Sequence, residues 1–294
     1  MEKNMLDTRF STCPNDTFIF DALVNGRLDT GDLRFKTTLT DIDLLNQAAA
    51  TGLPDVIKIS YHAFAMLTHH YIMLDAGSAL GFGVGPLLVA AHPIAIGDLA
   101  NLKVAIPGEM TTAAMLLRLA LPEVKNKVVM RFSQIEEAVI NGDVDAGVII
   151  HEGRFTYAAK GLTKLADLGE LWELLTGLPI PLGGIAVKRS LGHTTIQRLN
   201  KLLRDSITLA HENPDAAMPF VSTYAREMDP EVIKKHISLY VNAATLDVGL
   251  QGRLAVRYIT ASLAPGLPQN FPLFASELEA DEHTDDGNHQ QRPS

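Results

Sequence analysis

Gly147-Val148-Ile149-Ile150-His151-Glu152-Gly153-Arg154-Phe155-Thr156-Tyr157 changes character partway along. The apolar residues from Ala146 to Ile150 read as a buried parallel strand. An ionisable pair, His151-Glu152, and a glycine then end it abruptly. Open α/β sheets bind ligands just beyond the carboxyl ends of their strands, so this histidine stands where a ligand arrives. An imidazole titrates near neutral pH and can accept a proton there. It can equally cap the strand and bond to nearby backbone, and position alone leaves both readings open.

Outward from this stretch, strands and helices alternate. Leu6 to Ser11, Leu33 to Leu39 and Asp55 to Ile59 read as strands. Helices follow them from Cys13-Pro14-Asn15-Asp16, from Asp41, and from Tyr61 to about Thr68, with Asn15 or Asp16 able to cap the first. A second block repeats the alternation, with strands Leu87 to Ala91, Lys103 to Ile106, Lys127 to Phe132 and Val144 to Ile150. Its helices run from Thr111 to Ala120, Ser133 to Ile140 and Leu171 to Leu175. Alternation at this length predicts parallel sheets with right-handed crossovers. After the strand Ile185 to Val187 the chain turns helical, and Ile196, Leu199, Leu203 and Ile207 mark one amphipathic helix by their spacing.

Gly/Pro-rich crossings near Val89 to Pro93 and Leu182 to Ala186 separate the blocks. The expected architecture is a two-lobed α/β protein with two inter-lobe crossings and a C-terminal helical segment, shaped like a periplasmic binding protein. Residues 1–91 and 185–275 form one lobe, 92–184 the other, and 276–294 an acidic tail. Ligands of such proteins sit between hinged lobes.

The 294 residues, 47% hydrophobic, suffice for two cores. Six acidic residues against Arg292 alone in the last 19 positions supply −5 of the net charge of −9. The tail is too polar to bury itself and reads as disordered. The body has no basic stripe, which argues against nucleic acid as a partner. A lone cysteine, Cys13, excludes an internal disulfide and fits a reducing compartment. No signal-peptide core and no run of about 18 apolar residues is present, so a cytoplasmic protein with no membrane partner is expected.

Chemistry concentrates at four strand ends: Cys13-Pro14-Asn15-Asp16, Lys58-Ile59-Ser60, Thr111-Thr112 and His151-Glu152. Helix N-termini bind carboxylates or phosphates, and Thr111, Thr112 and Ser60 add hydroxyls while Lys58 adds charge. Each alone is also an ordinary cap. Together, facing one cleft, they suit a small anionic substrate beside a proton acceptor. No metal is expected: His151-Glu152 lacks the second histidine of a His-Glu-x-x-His site, because Phe155 stands in its place. The glycines of Gly77 to Gly85 lack the Gly-Lys-Ser/Thr ending of a phosphate loop and read as a flexible lead into the next strand. Cys13 has no histidine partner identifiable from the sequence.

The ordered series Ser11-Thr12-Cys13-Pro14-Asn15-Asp16-Thr17-Phe18-Ile19-Phe20, Lys58-Ile59-Ser60-Tyr61, Gly83-Val84-Gly85-Pro86, Pro107-Gly108 with Thr111-Thr112, and Ile149-Ile150-His151-Glu152 with Arg154-Phe155-Thr156-Tyr157 continues into the C-terminal half. There it adds Thr176-Gly177-Leu178-Pro179-Ile180-Pro181-Leu182-Gly183, and Tyr240-Val241-Asn242-Ala243 with Leu246-Asp247-Val248-Gly249. Over about residues 6–274 these motifs resemble the 1,4-dihydroxy-6-naphthoate synthase family of the futalosine route to menaquinone.

The resemblance implies a type II periplasmic-binding-protein-like fold used for catalysis in the cytoplasm. It further implies a lyase without cofactors, which cleaves cyclic dehypoxanthine futalosine to 1,4-dihydroxy-6-naphthoate and dihydroxyacetone. His151 matches the family's proton acceptor, and Lys58, Ile59, Ser60, Thr111 and Thr112 match its substrate-binding positions. Thr12 departs from a position where the family commonly has proline. Two alternatives stay open: a non-catalytic cytoplasmic small-molecule binding protein of the same fold, and a chorismate dehydratase, against which the Cys-Pro-Asn-Asp-Thr-Phe and His-Glu-x-Arg-Phe-Thr-Tyr pairing argues.

Overall fold

A computed structural model describes residues 5–225 and 229–279. The chain opens with β1 (Met5–Phe10), α1 (Pro14–Val24), β2 (Arg34–Leu39), α2 (Ile42–Ala50), β3 (Val56–Ser60), α3 (Tyr61–Ala65), β4 (Tyr71–Met73) and β5 (Ala79–Gly81). A second unit follows, with β6 (Leu87–Ala90), β7 (Val104–Ile106), α4 (Thr112–Ala120), β8 (Lys127–Val129), α5 (Phe132–Ile140), β9 (Ala146–Ile149), α6 (Gly153–Thr156), β10 (Thr163–Asp167) and α7 (Leu168–Thr176). The chain returns through β11 (Ile180–Lys188) and ends in α8 (His193–Glu212), α9 (Pro214–Tyr224), α10 (Pro230–Tyr240), α11 (Ala243–Leu246) and α12 (Gly249–Leu263).

Two sheets result. The first has the order β2-β1-β3-β11-β4, with β5 also on β11; the second has β10-β6-β9-β7-β8. Strands β1, β2 and β3 are mutually parallel, as are β7, β8 and β9. Each set therefore points its carboxyl ends the same way, and the parallel arrangement expected from the alternation is present at both centres. The sheets are nonetheless mixed: β11 runs antiparallel to β3, β4 and β5, and β6 runs antiparallel to β9 and β10.

Sheet membership moves the crossings. β6 already belongs to the second sheet and β11 wholly to the first. The chain therefore changes sheets within residues 82–86 and again within 177–179, rather than near Val89 to Pro93 and Leu182 to Ala186. Pro181-Leu182-Gly183-Gly184, which reads as punctuation, lies inside the nine-residue β11. Pro181 falls where the ladder to β5 is irregular, so its missing N–H breaks no regular pairing. A Cβ on Gly184 would strike the Met73 side-chain end and the buried Tyr61 hydroxyl, so glycine eases a crowded approach of β11 to these side chains.

The core of the first sheet is closed by the periodic face of α8. Ile196, Leu199, Leu203 and Ile207 are buried against α1 residues Phe18, Ile19 and Leu23, and Phe10 stacks on Phe20 at 4.3 Å. The second sheet has its own apolar clusters on its two faces, one including Leu88, Val104, Ile106 and Val148, the other Val89, Ala105, Ile135 and Ile149. No helix among the described residues is long and apolar enough to cross a membrane.

Several local expectations need correction. The cap of α1 is Cys13, without a side-chain bond, while Asn15 and Asp16 sit inside the first turn, buried. Helix α3 stops at Ala65. The glycine segment 77–85 is built into the fold: β5 pairs with β11, Gly77 N–H donates to the Thr245 carbonyl, and a Cβ on Gly85 would collide with the Gly169 backbone. The acidic tail does not begin at Ser276. That residue bonds to Asp75, and Glu277 pairs with Arg257 at 2.8 Å in a 3-10 turn. The remainder of the tail, residues 280–294, lies outside the described residues.

Candidate active site

The carboxyl ends of the two parallel strand sets face one pocket of about 710 Å³, part of it continuous with solvent. The first sheet contributes Ser11 after β1, Asn15 and Asp16 from α1, Ile42 from α2, Lys58 and Ser60 on β3, and Leu182 and Gly183 on β11. The second unit contributes Thr111, Thr112 and Ala113 at the start of α4, Ile150 and His151 after β9, and Arg154 from α6. Val84, Gly85 and Pro86 of the first crossing and Tyr240 of α10 complete the wall. All four strand ends singled out from the sequence thus send residues to one cavity.

Ile59 is the exception among the named residues. Side chains alternate along a strand, so Lys58 and Ser60 reach the pocket while Ile59, fully buried, packs with Leu45, Ile57 and Tyr61 in the core. Its side chain contributes support to β3, not a pocket contact.

Among the described residues, His151 is the one non-glycine with a left-handed backbone, φ 58°. Such a conformation is strained for a residue with a Cβ and persists where the surroundings impose it. The ring is held on three sides: Phe132 edge-on at 4.7 Å, His236 nearly parallel at 6.2 Å, and Cys13 Sγ at 3.4 Å from Nδ1. Burial pushes the imidazole pKa below its ordinary value; Glu152, Asp16 and Asp41 pull it back up and Lys58 adds to the lowering. Burial, followed by Glu152 and Asp16, pushes the Cys13 thiol well up. The contact therefore joins a neutral thiol to a neutral imidazole and lacks the thiolate of a nucleophilic cysteine pair.

Lys58 Nζ lies 2.9 Å from Asp16 Oδ1, both side chains buried. Asp16 also accepts from Ser11 Oγ at 2.6 Å and from Asn15 Nδ2 at 2.8 Å. Because Asn15 donates to a carboxylate, its Oδ1 is an acceptor and takes His236 Nε2–H at 2.9 Å. That fixes the His236 tautomer, and burial holds this imidazole well below its usual pKa, helped by the positive charge that His151 and Lys58 can carry. Lys58 Nζ has no aligned hydrogen-bond acceptor despite its ion pair, so its donors remain available to a ligand.

The hydroxyls have other partners. Ser60 Oγ donates to the Met110 carbonyl at 2.6 Å, Thr111 Oγ1 to Gly108 at 2.7 Å and Thr112 Oγ1 to Leu182 at 2.7 Å. Ser60 and Thr111 also cap α3 and α4, accepting from Ala63 and Ala114 N–H. Capping and pocket lining therefore coincide, and the Ser60 and Thr112 bonds join elements of the two sheets across the cavity. The sequence reading left out Arg154, Tyr240 and His236. The first two lie in quoted motifs; His236 is four residues before Tyr240, one helical turn away, and its contact to Asn15 spans 221 positions. Among the described residues no group of three or more His, Cys, Asp or Glu side chains is placed to hold a metal ion.

Residues 9–264 match the family described as menaquinone biosynthesis. The chain is 45% identical over 273 residues to the 1,4-dihydroxy-6-naphthoate synthase of Streptomyces coelicolor, covering 91% of this chain and 96% of that one. It is 44% identical over 268 residues to the synthase of the same name from Thermus thermophilus, covering 90% and 97%. A crystal structure of an Archaeoglobus fulgidus protein superposes with a TM-score of 0.84 at 35% identity, over 91% of this chain and 100% of that one. The alkanesulfonate-binding protein of Xanthomonas axonopodis, solved with MOPS bound, gives a TM-score of 0.70 at 14% identity over 95% and 99%. That last likeness is one of fold, and the fold is the two-lobed α/β architecture of periplasmic binding proteins.

Proposed function

We propose a reaction from one premise: the chain belongs to the menaquinone-biosynthesis family of the 1,4-dihydroxy-6-naphthoate synthases. The proposed activity is that of a cofactor-free carbon–carbon lyase of the cytoplasm. It takes cyclic dehypoxanthine futalosine to 1,4-dihydroxy-6-naphthoate and releases dihydroxyacetone. The observation that carries this reading is His151, a ring kept uncharged by burial at the wall of a cavity that also presents a lysine.

In this reading neutral His151 accepts a proton from the substrate as the bond to the three-carbon fragment breaks, and aromatisation of the second ring drives the cleavage. Lys58, backed by Asp16, supplies donors to substrate oxygens, and the first turns of α1 and α4 add favourable helix-dipole potential. Ile42, Val84, Ile150 and Leu182 give the bicyclic ring an apolar bed. The two sheets act as lobes that exchange chain at residues 82–86 and 177–179 and close over the substrate.

The test is dihydroxyacetone release by purified protein and by its His151→Asn variant. A positioned base is typically worth 10²–10⁴-fold in rate, and the variant is expected to lose that much. Near-normal turnover by the variant would remove His151 from the role. Tight substrate binding without dihydroxyacetone would instead make the protein a binding module, and consumption of chorismate would make it a dehydratase.

A further inference from the structure

Two cations reach the pocket wall, Lys58 and Arg154, and their charges are answered differently. Lys58 faces Asp16 at 2.9 Å, and that carboxylate is turned toward it by Ser11 and Asn15. A buried pair of this kind is neutral overall, so Lys58 is suited to hydroxyls of a ligand more than to its acid group.

Arg154 has a side chain only 16% exposed. Its Nη1 donates to the uncharged carbonyl of Gly85, and its Nη2 stands 3.4 Å from Asp167 Oδ2. Asp167 Oδ1 accepts Gly169 N–H at 2.9 Å and Glu170 N–H at 3.2 Å as the cap of α7, which leaves Oδ2 to face Arg154. That single ion-pair contact is long, and with the Tyr240 hydroxyl beside it the five-donor guanidinium still has N–H groups to spare. A guanidinium fork matches a carboxylate with two parallel bonds, which a lysine cannot do.

We propose that Arg154 is the acid-recognition residue of this pocket, taking the carboxylate of a bicyclic aromatic acid in a two-pronged contact beside Gly85 and Pro86. The assignment deepens the proposed function and rests on this cavity being the substrate site. It fixes which wall meets the acid end of the ligand, and it makes carboxylate binding a contact next to the segment through which the chain first changes sheets.

The probes are 2-naphthoate and its uncharged amide, 2-naphthamide, titrated calorimetrically into the full-length protein. The wild type is expected to prefer the acid by more than about tenfold, the scale of one charge-assisted pair. Arg154→Gln should bring that ratio close to one by weakening the acid while leaving the amide unchanged, so the amide reports that the pocket is intact. Arg154→Lys should keep part of the preference, and it decides the matter if the glutamine variant does not fold. A preference as large as that of the wild type in either variant overturns the assignment, as does a wild type that binds neither probe or does not distinguish them. Failure of the reaction is read separately. Dihydroxyacetone release with an undiminished preference in Arg154→Gln removes Arg154 alone; absent release with the preference abolished removes the lyase and keeps the acid site.

Discussion

Asp16 and Asp75 are both 1% exposed, and both face a cation, yet they are surrounded in opposite ways. Asp75 accepts from Arg253, from Asn200 Nδ2 at 2.9 Å, and from the N–H and hydroxyl of Ser276. These donors come from α8, α12 and the C-terminal turn, so one carboxylate ties three distant segments to the first sheet. Asp16 takes its neutral donors from its own neighbourhood, Ser11 and Asn15, and its cation from the next strand. One side of that cluster is the pocket. The same chemical group thus ties segments together in one place and lines a pocket in the other.

The largest expected effect tests the fastening. Asp75→Ala strips Asn200 Nδ2 and both Ser276 donors of their acceptor and removes the shortest of Arg253's carboxylate contacts, leaving Glu277 at 3.6 Å and Asp247 at 3.9 Å. Urea denaturation should show a loss of about 3–5 kcal/mol. The folded fraction should still turn over at nearly the wild-type rate; a loss of activity with intact stability would erase the contrast. Asp16→Asn should do the reverse, lowering stability by about 1–3 kcal/mol while turnover falls more than tenfold. If denaturation shows it as costly as the Asp75 change, Asp16 is a fastening too.

Acid sharpens the difference further. His236 has its folded pKa pushed well below 6.5, first by burial, so below pH 6.5 the unfolded chain binds a proton that the folded chain does not. Stability is therefore full above pH 6.5 and falls as the pH drops from there toward the lowered value, by about 1.4 kcal/mol per pH unit at most for this group. Unfolding measured at pH 7 and pH 5.5 should show the slope reduced by that amount in His236→Asn. Turnover has its own acid limb. His151 must be uncharged to accept a proton, so kcat/KM should rise with pH through its lowered pKa and be flat above 6.5. The smallest effect belongs to the cap. Thr111→Ala removes the acceptor of Ala114 N–H and should cost about 1 kcal/mol, read as a shift in the urea midpoint.

Much of the fold and of the site is legible in the sequence. Apolar runs ending in polar residues identified β1, β3 and β9, and the rule that ligands bind beyond strand ends gathered Asp16, Lys58, Thr111 and His151 before their proximity was visible. What escaped has physical causes. β4 and β10 are each held by antiparallel neighbours far away in the chain, pairings that no local pattern encodes. The first half of β11, ahead of the strand read at Ile185 to Val187, hid behind Pro181, Gly183 and Gly184, whose local preferences say turn while the observed pairing makes them strand. Asp16 resembles a cap in sequence; only Lys58, on another strand, turns it into half of an ion pair. Cys13 and His151 meet across 138 positions, a contact no local pattern encodes.

A side chain with a Cβ at φ 58° is about 1–2 kcal/mol less comfortable than glycine in the same place. On the proposed function, glycine at position 151 would relieve that backbone strain and remove the proton acceptor together with the ring's contacts to Phe132 and Cys13. Under that proposal, backbone comfort and proton transfer compete at a single codon.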